Sequence, residues 1–191
     1  MAKRLVVGMS GSSAPQLGIS LLKALRNCAD VETHLVVSEG AAHTLKLEAG
    51  TEVSELAGLA DFSYSTSDLF APISSGSFRT EGMVVMPCSM RTLAAIATGN
   101  SQDLLTRAAD VTLKERRRLV LVTREAPLSL IHIKNMEAVT LAGAVVMPPV
   151  LAFYHQPKTI DDLLAQVTGK VLDQFDIPHN LFKRWGDSAS G

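Results

Sequence analysis

Short apolar runs alternate with longer amphipathic segments along almost the whole chain, and this alternation constrains the fold more than any other feature of the sequence. The apolar runs cover residues 4–9, 33–37, 82–86, 119–122 and 144–147. Continuous apolar runs are typical of strands in a parallel sheet that is covered on both faces. We therefore predict an α/β fold, a Rossmann-like (flavodoxin-like) three-layer sandwich with a mainly parallel sheet.

The segments between these runs carry apolar residues at helical spacing, as Leu17, Leu21 and Leu25 show in the first of them. The predicted helices cover residues 15–29, 39–49, 103–117, 129–142 and 159–175, with one more between Pro87, which we expect to end the third strand, and Ala97. Residues 65–80 form the one long irregular stretch. A loop of this length in a compact domain is either functional or a mobile surface excursion.

Composition and charge exclude several classes of protein. With 191 residues the chain is long enough for one well-buried domain, which we place at 1–191 with a C-terminal tail from about residue 178. The net charge of −1 gives no general attraction to nucleic acid or to an anionic membrane. No apolar run approaches the roughly 20 residues that span a bilayer. Lys3 and Arg4 lead directly into a short apolar run without a signal peptide, so we expect a cytoplasmic protein.

The cysteines and histidines predict no metal site. Cys28 and Cys88 lie in apolar stretches without metal-type spacing, and we expect two reduced, buried thiols. The five histidines have no paired spacing of the kind that builds a zinc site.

Small and polar residues follow the predicted strands at their carboxyl ends, where open α/β sheets bind ligands. These segments are Ser10-Gly11-Ser12-Ser13, Ser38, Pro87-Cys88-Ser89-Met90-Arg91-Thr92, Thr123-Arg124-Glu125, and Pro148-Pro149 with Phe153-Tyr154. Hydroxyl and backbone N–H groups at helix N-termini suit an anion, although a single serine there is commonly an N-cap without a ligand. The first four of these strand ends, which carry hydroxyl side chains, together favour a ligand with a phosphate group.

The glycines after the first strand favour a mononucleotide. Gly8, Gly11 and Gly18 do not have the G-x-G-x-x-G spacing of a dinucleotide site. FMN therefore fits the pattern better than NAD.

Three charged residues, Arg124, Glu125 and Glu48, have settings that suggest chemistry. Glu125 directly follows an apolar strand, and Glu48 comes after Leu45 and Leu47 in a predicted helix. A carboxylate beside apolar surface tends to have a raised pKa, which suits proton transfer, but either residue is equally well a surface charge. The residues alone do not distinguish Lys114 from the basic residues that follow it.

Several segments, taken in order and spacing, resemble the UbiX-type flavin prenyltransferase family, formerly called phenylacrylic acid or hydroxyarylic acid decarboxylases. The resemblance extends from residue 4 to about residue 185. The segments that carry it are Gly8-Met9-Ser10-Gly11-Ser12-Ser13, Ser74-Ser75-Gly76-Ser77, Pro87-Cys88-Ser89-Met90-Arg91-Thr92, Arg107-Ala108-Ala109-Asp110-Val111, Leu113-Lys114-Glu115-Arg116-Arg117, Arg124-Glu125-Ala126-Pro127-Leu128, Ile131-His132 with Asn135-Met136, and Phe153-Tyr154-His155.

The resemblance implies that this single domain binds flavin, that reduced FMN is alkylated at its N5 and C6 positions by dimethylallyl phosphate without a metal, and that the product serves a UbiD-type decarboxylase. It also implies a homo-oligomer, a dodecamer, with FMN where subunits meet. Its flavin-binding positions fall on Gly11, Ser12, Ser13, Ser38, Ser89, Met90, Arg91, Thr92 and Arg124. The groups that hold the donor phosphate fall on Lys114, Arg124, Tyr154 and Lys170. Those implicated in proton handling fall on Glu125, Glu48 and Ser13.

Three positions depart from the family pattern, and one of them, Arg118 in place of a common proline, is expected to be neutral. Ala14 stands where the family usually has glycine, and an alanine there is strained if the backbone needs a positive φ. Lys170 stands where the family often has arginine, and it lacks the bidentate fork that arginine offers to phosphate.

Three other functions compete with the prenyltransferase. A flavin-dependent cysteine decarboxylase has a catalytic histidine and a Pro-x-Met-Asn-x-x-Met segment, which this sequence lacks. An FMN-binding subunit of an aromatic-acid decarboxylase would not need Glu48 or Glu125. A decarboxylase acting directly on aromatic acids would need a clamp for the acid, and the sequence suggests none beyond the phosphate-type cluster.

Overall fold

Six parallel strands form one sheet in this computed structural model, which describes residues 2–186. The strands are β1 (Lys3–Met9), β2 (Val31–Val37), β3 (Phe62–Tyr64), β4 (Gly82–Cys88), β5 (Arg118–Thr123) and β6 (Val145–Val146). Their order in the sheet is β3-β2-β1-β4-β5-β6. The predicted α/β fold with a parallel sheet is confirmed. The end of the C-terminal tail falls outside the described residues.

Within residues 2–186, seven α-helices pack on the two faces of the sheet. They are α1 (Gln16–Arg26), α2 (Glu39–Thr44), α3 (Val53–Ala57), α4 (Met90–Ala97), α5 (Leu104–Lys114), α6 (Leu130–Leu141) and α7 (Ile160–Asp173). A π-helical turn, Leu45–Ala49, continues α2, and a 3₁₀ turn covers Pro72–Ser74. Five helices begin at a side chain that accepts a hydrogen bond from the first turn: Ser38, Ser89, Asp103, Ser129 and Thr159.

The apolar core has two parts, one on each face of the sheet. Val7 and Val84 point to the face that α1 and α7 cover, whereas their neighbours Val6 and Val85 point to the face that α4, α5 and α6 cover. Successive side chains of a strand point to opposite faces, so a strand that is apolar throughout fills both cores. This arrangement is the predicted three-layer sandwich.

The prediction that Pro87 ends the third strand is wrong. Pro87 lies inside β4, and the pairing with β5 resumes at Cys88 opposite Thr123 after a shift in register. Proline has no N–H to donate, but its carbonyl still accepts, here from the backbone N–H of Ser10 at 3.1 Å. The strand therefore extends to the edge of the ligand-binding end of the sheet.

Other differences concern short elements and helix ends. The helix predicted for 103–117 ends at Lys114, because Arg116 takes a left-handed backbone conformation with φ of 57°. The predicted helix 39–49 is α-helical only as far as Thr44. Neither α3 nor β3 was predicted, since elements of five and three residues show no clear periodicity.

The irregular stretch 65–80 is held against the body of the protein by two arginines. Arg107 Nε donates to the carbonyl of Ser74 at 3.1 Å. Arg117 donates to the carbonyls of Gly76 and Phe78 at 2.6 and 2.8 Å. These contacts place Ser74–Ser77 beside the end of α5 and argue against a mobile surface excursion.

Candidate functional site

A cleft of about 670 Å³ opens at the carboxyl ends of β1, β2, β4 and β5. Its lining residues are Gly11, Ser38, Glu39, Gly40, His43, Thr66, Ser89, Met90, Arg91, Thr92, Asp103 and Glu125. The chain leaves β1 toward β2 on one side, whereas β4 lies on the other side of β1. This reversal is the topological switch point at which doubly wound sheets bind their ligands.

Ser10 ties together the two strands at this switch point. Its Oγ accepts a hydrogen bond from the backbone N–H of Ser89 at 2.8 Å and donates to the carbonyl of Pro87 at 3.2 Å. Only 1% of the residue is exposed. The sequence places Ser10 in a strand-end segment but does not single it out as a site residue. The feature that could have identified it is its position as the first hydroxyl residue after β1. It fixes the loop after β1 relative to the start of α4.

The predicted residues Ser38 and Ser89 are helix caps as well as cleft residues, and Thr92 lines the cleft from the first turn of α4. Ser38 Oγ accepts from the N–H of Ala41 at 3.1 Å, and Ser89 Oγ accepts from that of Thr92 at 3.2 Å. The Ser89 hydroxyl then donates to Thr92 Oγ1 at 3.1 Å. The N-termini of α2 and α4 both border the cleft, where their partial positive charge favours an anion.

Gly11 allows the loops after β1 and β2 to touch. A Cβ on Gly11 would lie 2.8 Å from the carbonyl carbon of Gly40 and 2.9 Å from its Cα, which is closer than such atoms approach. Both glycines line the cleft. The shape of the cleft at this point therefore depends on the absence of a side chain.

Replacing Gly11 with Ala is expected to weaken FMN binding about tenfold or more, since forcing packed atoms apart costs roughly 1–3 kcal/mol. Titration of the apoprotein with FMN, followed by flavin fluorescence, measures the affinity. Gly58→Ala is the matched control, because a Cβ there meets only ordinary contacts at 3.4 Å and beyond. Equal affinities in the two variants would contradict the role given to the close contact.

Arg124 and Glu125 follow β5 at the rim of the cleft. Ser12 Oγ donates to the carbonyl of Arg124 at 3.0 Å and so fixes its backbone to the loop after β1. The Arg124 side chain is exposed and has no hydrogen-bond or ion-pair partner within residues 2–186. The Glu125 carboxylate lines the cleft and accepts from the N–H of Ala126 at 3.1 Å. Both charges are thus available to a ligand.

Glu48 and Ser13, two of the residues predicted to handle protons, are in direct contact. Glu48 Oε2 accepts from Ser13 Oγ at 3.0 Å and from the N–H of Ala14 at 2.9 Å. Glu48 is exposed, and Leu47 next to it is 85% exposed, which favours the interpretation of Glu48 as a surface charge. Glu48 lines a groove between α1 and α7 rather than the cleft that holds Glu125.

Ala14 has a positive φ of 68°, so the strain that its sequence position suggested is present. The conformation lets its N–H reach Glu48, and Pro15 then starts the turn into α1.

Replacing Ala14 with Gly is expected to raise the free energy of unfolding by about 0.5–1 kcal/mol. Relief of roughly 1–2 kcal/mol of left-handed strain exceeds the entropy that glycine loses on folding. Urea denaturation measures the change. Ala24→Gly, within α1, is the control and should instead lower stability by about 1 kcal/mol. A loss of stability in both variants would mean that position 14 is not strained.

Lys114 lies away from the cleft. Helix α5 runs from the carboxyl edge of the sheet to the amino edge, and Lys114 is its last residue. Its ammonium pairs with Glu115 and lies close to Gly76, where a Cβ would be 2.8 Å from Lys114 Nζ. The structure therefore does not bring Lys114 together with Arg124 within one chain.

Tyr154 and Lys170 form a third group around α7. The Tyr154 ring lies 5.8 Å from that of Trp185, and Lys170 Nζ lies 3.6 Å from an oxygen of Asp173. Neither residue lines the cleft. The four residues predicted to hold a donor phosphate thus occupy three separate places on one chain.

The cysteines offer no reactive thiolate at the site. Complete burial raises the pKa of the Cys88 thiol to about 12, so it stays protonated at neutral pH. Both cysteines are unpaired. The prediction that Cys28 is buried is wrong: Cys28 follows the end of α1 and is only half-buried. Within the described range, no three His, Cys, Asp or Glu side chains come together as metal ligands.

The fold and the cleft define the class of protein: a doubly wound α/β protein with a mononucleotide-sized, hydroxyl-rich site at its switch point. In agreement, residues 1–172 match the Flavoprotein family. Flavin prenyltransferase UbiX of Salmonella typhimurium is 52% identical over 185 residues, which cover 96% of this chain and 98% of that protein. A probable UbiX-like flavin prenyltransferase of Sedimentibacter hydroxybenzoicus is 51% identical over 182 residues, 95% of this chain and 96% of the relative.

Solved structures agree with these relatives. AnUbiX in complex with FMN and dimethylallyl pyrophosphate has a TM-score of 0.95 and 53% identity, covering 97% of this chain and 98% of that one. A dodecameric FMN-dependent UbiX-like decarboxylase from Escherichia coli has a TM-score of 0.93 and 52% identity, covering 95% and 98%. The chain belongs to the family of UbiX-type flavin prenyltransferases. The FMN-dependent cysteine decarboxylase TvaF shares the fold alone. Its TM-score is 0.67 and its identity 16%, covering 91% of this chain and 96% of the TvaF chain.

Proposed function

We propose that this protein is a flavin prenyltransferase that joins a dimethylallyl group from dimethylallyl phosphate to the N5 and C6 positions of reduced FMN. The observation that carries the proposal is the cleft at the β1/β4 switch point. Two helix N-termini and Glu125 border this cleft, and the exposed side chain of Arg124 belongs to the residue just before Glu125. Membership of the UbiX family supports the same function.

FMN fits the polar groups of this cleft. Its phosphate matches the N–H groups at the starts of α2 and α4, and its ring system needs the space that Gly11 and Gly40 leave open. The residues we assign to FMN are Gly11, Ser12, Ser13, Ser38, Ser89, Met90, Arg91, Thr92 and Arg124. The described residues, in our proposal, act as a single flavin-binding domain.

Cationic and hydroxyl groups would promote loss of the donor phosphate. The bond between the allyl carbon and the phosphate oxygen breaks, and the electron pair leaves with the phosphate. Lys114, Arg124, Tyr154 and Lys170 would stabilise that developing charge. Reduced FMN would supply two nucleophilic positions: N5 would bond to the allyl carbon that the phosphate leaves, and C6 would add to the allyl double bond, which takes up a proton. No metal is required. Glu125 would accept the proton that the ring loses, and Glu48 with Ser13 would relay protons nearby.

A complete site of this kind requires several copies of the chain, because the four donor residues occupy three separate places. We therefore propose a homo-oligomer, a dodecamer like the UbiX-like decarboxylase of Escherichia coli. Exposed apolar residues on and after α6 supply surface for assembly: Leu130, Ile131, Leu141, Val150 and Phe153. The functional unit is the assembly rather than the single chain.

The product would serve a UbiD-type decarboxylase as its cofactor, with no role for nucleic acid or membrane in the reaction. No helix in the described part of the chain is long and apolar enough to cross a bilayer. The two unpaired thiols are typical of a reducing compartment, and we propose a cytoplasmic location.

Mass spectrometry of the flavin tests the function directly. The protein is incubated without oxygen with reduced FMN and dimethylallyl phosphate, and in parallel with dimethylallyl pyrophosphate. We expect extracted flavin heavier by one dimethylallyl unit, and none without the donor. Unmodified FMN from folded, flavin-loaded protein with both donors would instead favour an FMN-binding subunit of a decarboxylase.

A further inference from the structure

Residues 178–185 fold back onto α7 and form what we call the C-terminal clamp. The clamp packs against Gly169 of α7: a Cβ at this position would lie 2.5 Å from the Phe182 ring and 2.6 Å from the His179 ring. Only a glycine in this helix leaves room for the two aromatic rings. The contact is therefore specific and not a loose association of a tail with a helix.

Asp173, the last residue of α7, anchors the clamp. Its Oδ1 accepts from Arg184 Nη2 at 2.8 Å and from His179 Nε2 at 3.1 Å, and its Oδ2 accepts from Arg184 Nη1 at 3.0 Å. The paired hydrogen bonds from Arg184, helped by the one from His179, lower the pKa of the carboxyl group to about 2. The carboxylate is therefore charged at neutral pH.

The same carboxylate faces Lys170. Lys170 Nζ lies 3.6 Å from Asp173 Oδ2, the oxygen that also accepts from Arg184. At its other end the clamp brings the Trp185 ring edge-on to Tyr154, with 5.8 Å between the ring centres. Lys170 is thus in contact with Asp173 itself. Tyr154 is in contact with Trp185, which directly follows the Arg184 that Asp173 binds.

Lysine in place of arginine makes such a restraint useful. An ammonium on a four-carbon stem is a mobile point charge, whereas a guanidinium offers phosphate a rigid, planar fork. Asp173 restricts Lys170 to one region of space, because its Oδ2 lies 3.6 Å from the ammonium.

We propose that Asp173 is a positioning residue of the donor-phosphate site: its carboxylate orients the ammonium of Lys170. This inference rests on the proposed function, in which Lys170 and Tyr154 bind the phosphate of the donor.

Asp173→Asn tests the inference in the assembled, FMN-loaded enzyme. The amide keeps the size of the side chain but loses the charge that holds Lys170. We expect the KM for dimethylallyl phosphate to rise about fivefold to tenfold, with kcat changed less than about twofold and FMN affinity unchanged. Asp162→Asn, at the start of the same helix, is the matched control: it makes the same chemical change in a carboxylate that accepts from the N–H groups of Lys158 and Thr159, and it should leave the KM unchanged.

Two further variants separate positioning from a general loss of structure. Lys170→Met should raise the KM by itself, and combining it with Asp173→Asn should add little, because the carboxylate then has no ammonium to orient. Lys170→Arg combined with Asp173→Asn should restore the KM to within about twofold of the unchanged enzyme, since the fork of an arginine is pre-organised. A general structural defect would not be rescued by this change.

The outcomes distinguish this inference from the function on which it rests. Absence of prenylated flavin with the unchanged protein would contradict the function. Normal product formation with an unchanged KM in Asp173→Asn would overturn the inference alone. So would fully additive effects of the Asp173 and Lys170 substitutions, or failure of Lys170→Arg to restore the KM.

Discussion

Replacing Glu125 with Gln is expected to lower the turnover of flavin prenylation about 100-fold or more, because positioned proton transfer contributes about that much to a reaction. The carboxylate lies in the cleft, and its contact with the N–H of Ala126 can be kept by the oxygen of an amide. What the variant loses is the ability to accept a proton. FMN should bind with nearly unchanged affinity, since Glu125 is not among the residues that we assign to the flavin.

Single-turnover assays under anaerobic conditions, with the extracted flavin identified by mass, separate this loss from slow product release. Glu81→Gln is the control, because it makes the same chemical change in an exposed residue just before β4, at the opposite edge of the sheet. Normal turnover in Glu125→Gln would remove Glu125 from the mechanism. Loss of turnover together with loss of flavin would show that its role is in binding.

The sheet is predictable from the sequence because its central strands are buried on both faces. Runs such as 119–122 are continuous and apolar, and few structures other than a covered parallel strand accommodate them. β3 is different, since Phe62 and Ser63 are both exposed at the edge of the sheet and three residues give no pattern. Edge strands of this length are fixed by their pairing with a neighbour, here β2, which a single sequence does not reveal.

The cleft is predictable for a related reason. Parallel strands end at the same edge, so residues that follow different strands, such as Gly11, Ser38 and Glu125, must meet there. Ser10 was not singled out, because its role depends on how closely β1 and β4 approach, which is a property of the packed sheet.

The grouping of the donor-phosphate residues is not predictable from strand and helix patterns. Lys114 ends a helix at the far edge, and Lys170 lies on another helix beside Asp173. Only the resemblance to a family suggested that they act together with Arg124. Strand and helix patterns describe one chain, and they carry no information about which surfaces of several copies meet.

Replacing Lys114 with Met is expected to lower turnover about 100-fold or more, since removing one group that stabilises a developing charge has effects of this size. The charge lost is one that a neighbouring chain would contribute, because Lys114 lies at the edge of the sheet opposite to Glu125. The variant should fold and bind FMN normally, as Lys114 is exposed and its only described partner is the adjacent Glu115.

Mixed assemblies then test whether the site is shared between chains. When chains with Lys114→Met and chains with Glu125→Gln are unfolded and reassembled together in equal amounts, about a quarter of the sites should combine an intact Glu125 from one chain with an intact Lys114 from another. Activity should therefore recover to about a quarter of that of the unchanged enzyme, although each variant alone is nearly inactive. Mixing Lys114→Met with Lys114→Ala cannot restore a lysine and serves as the control. If both residues acted within one chain, no mixture would recover activity. A change in conformation, and not a neighbouring chain, would then have to bring Lys114 to the cleft.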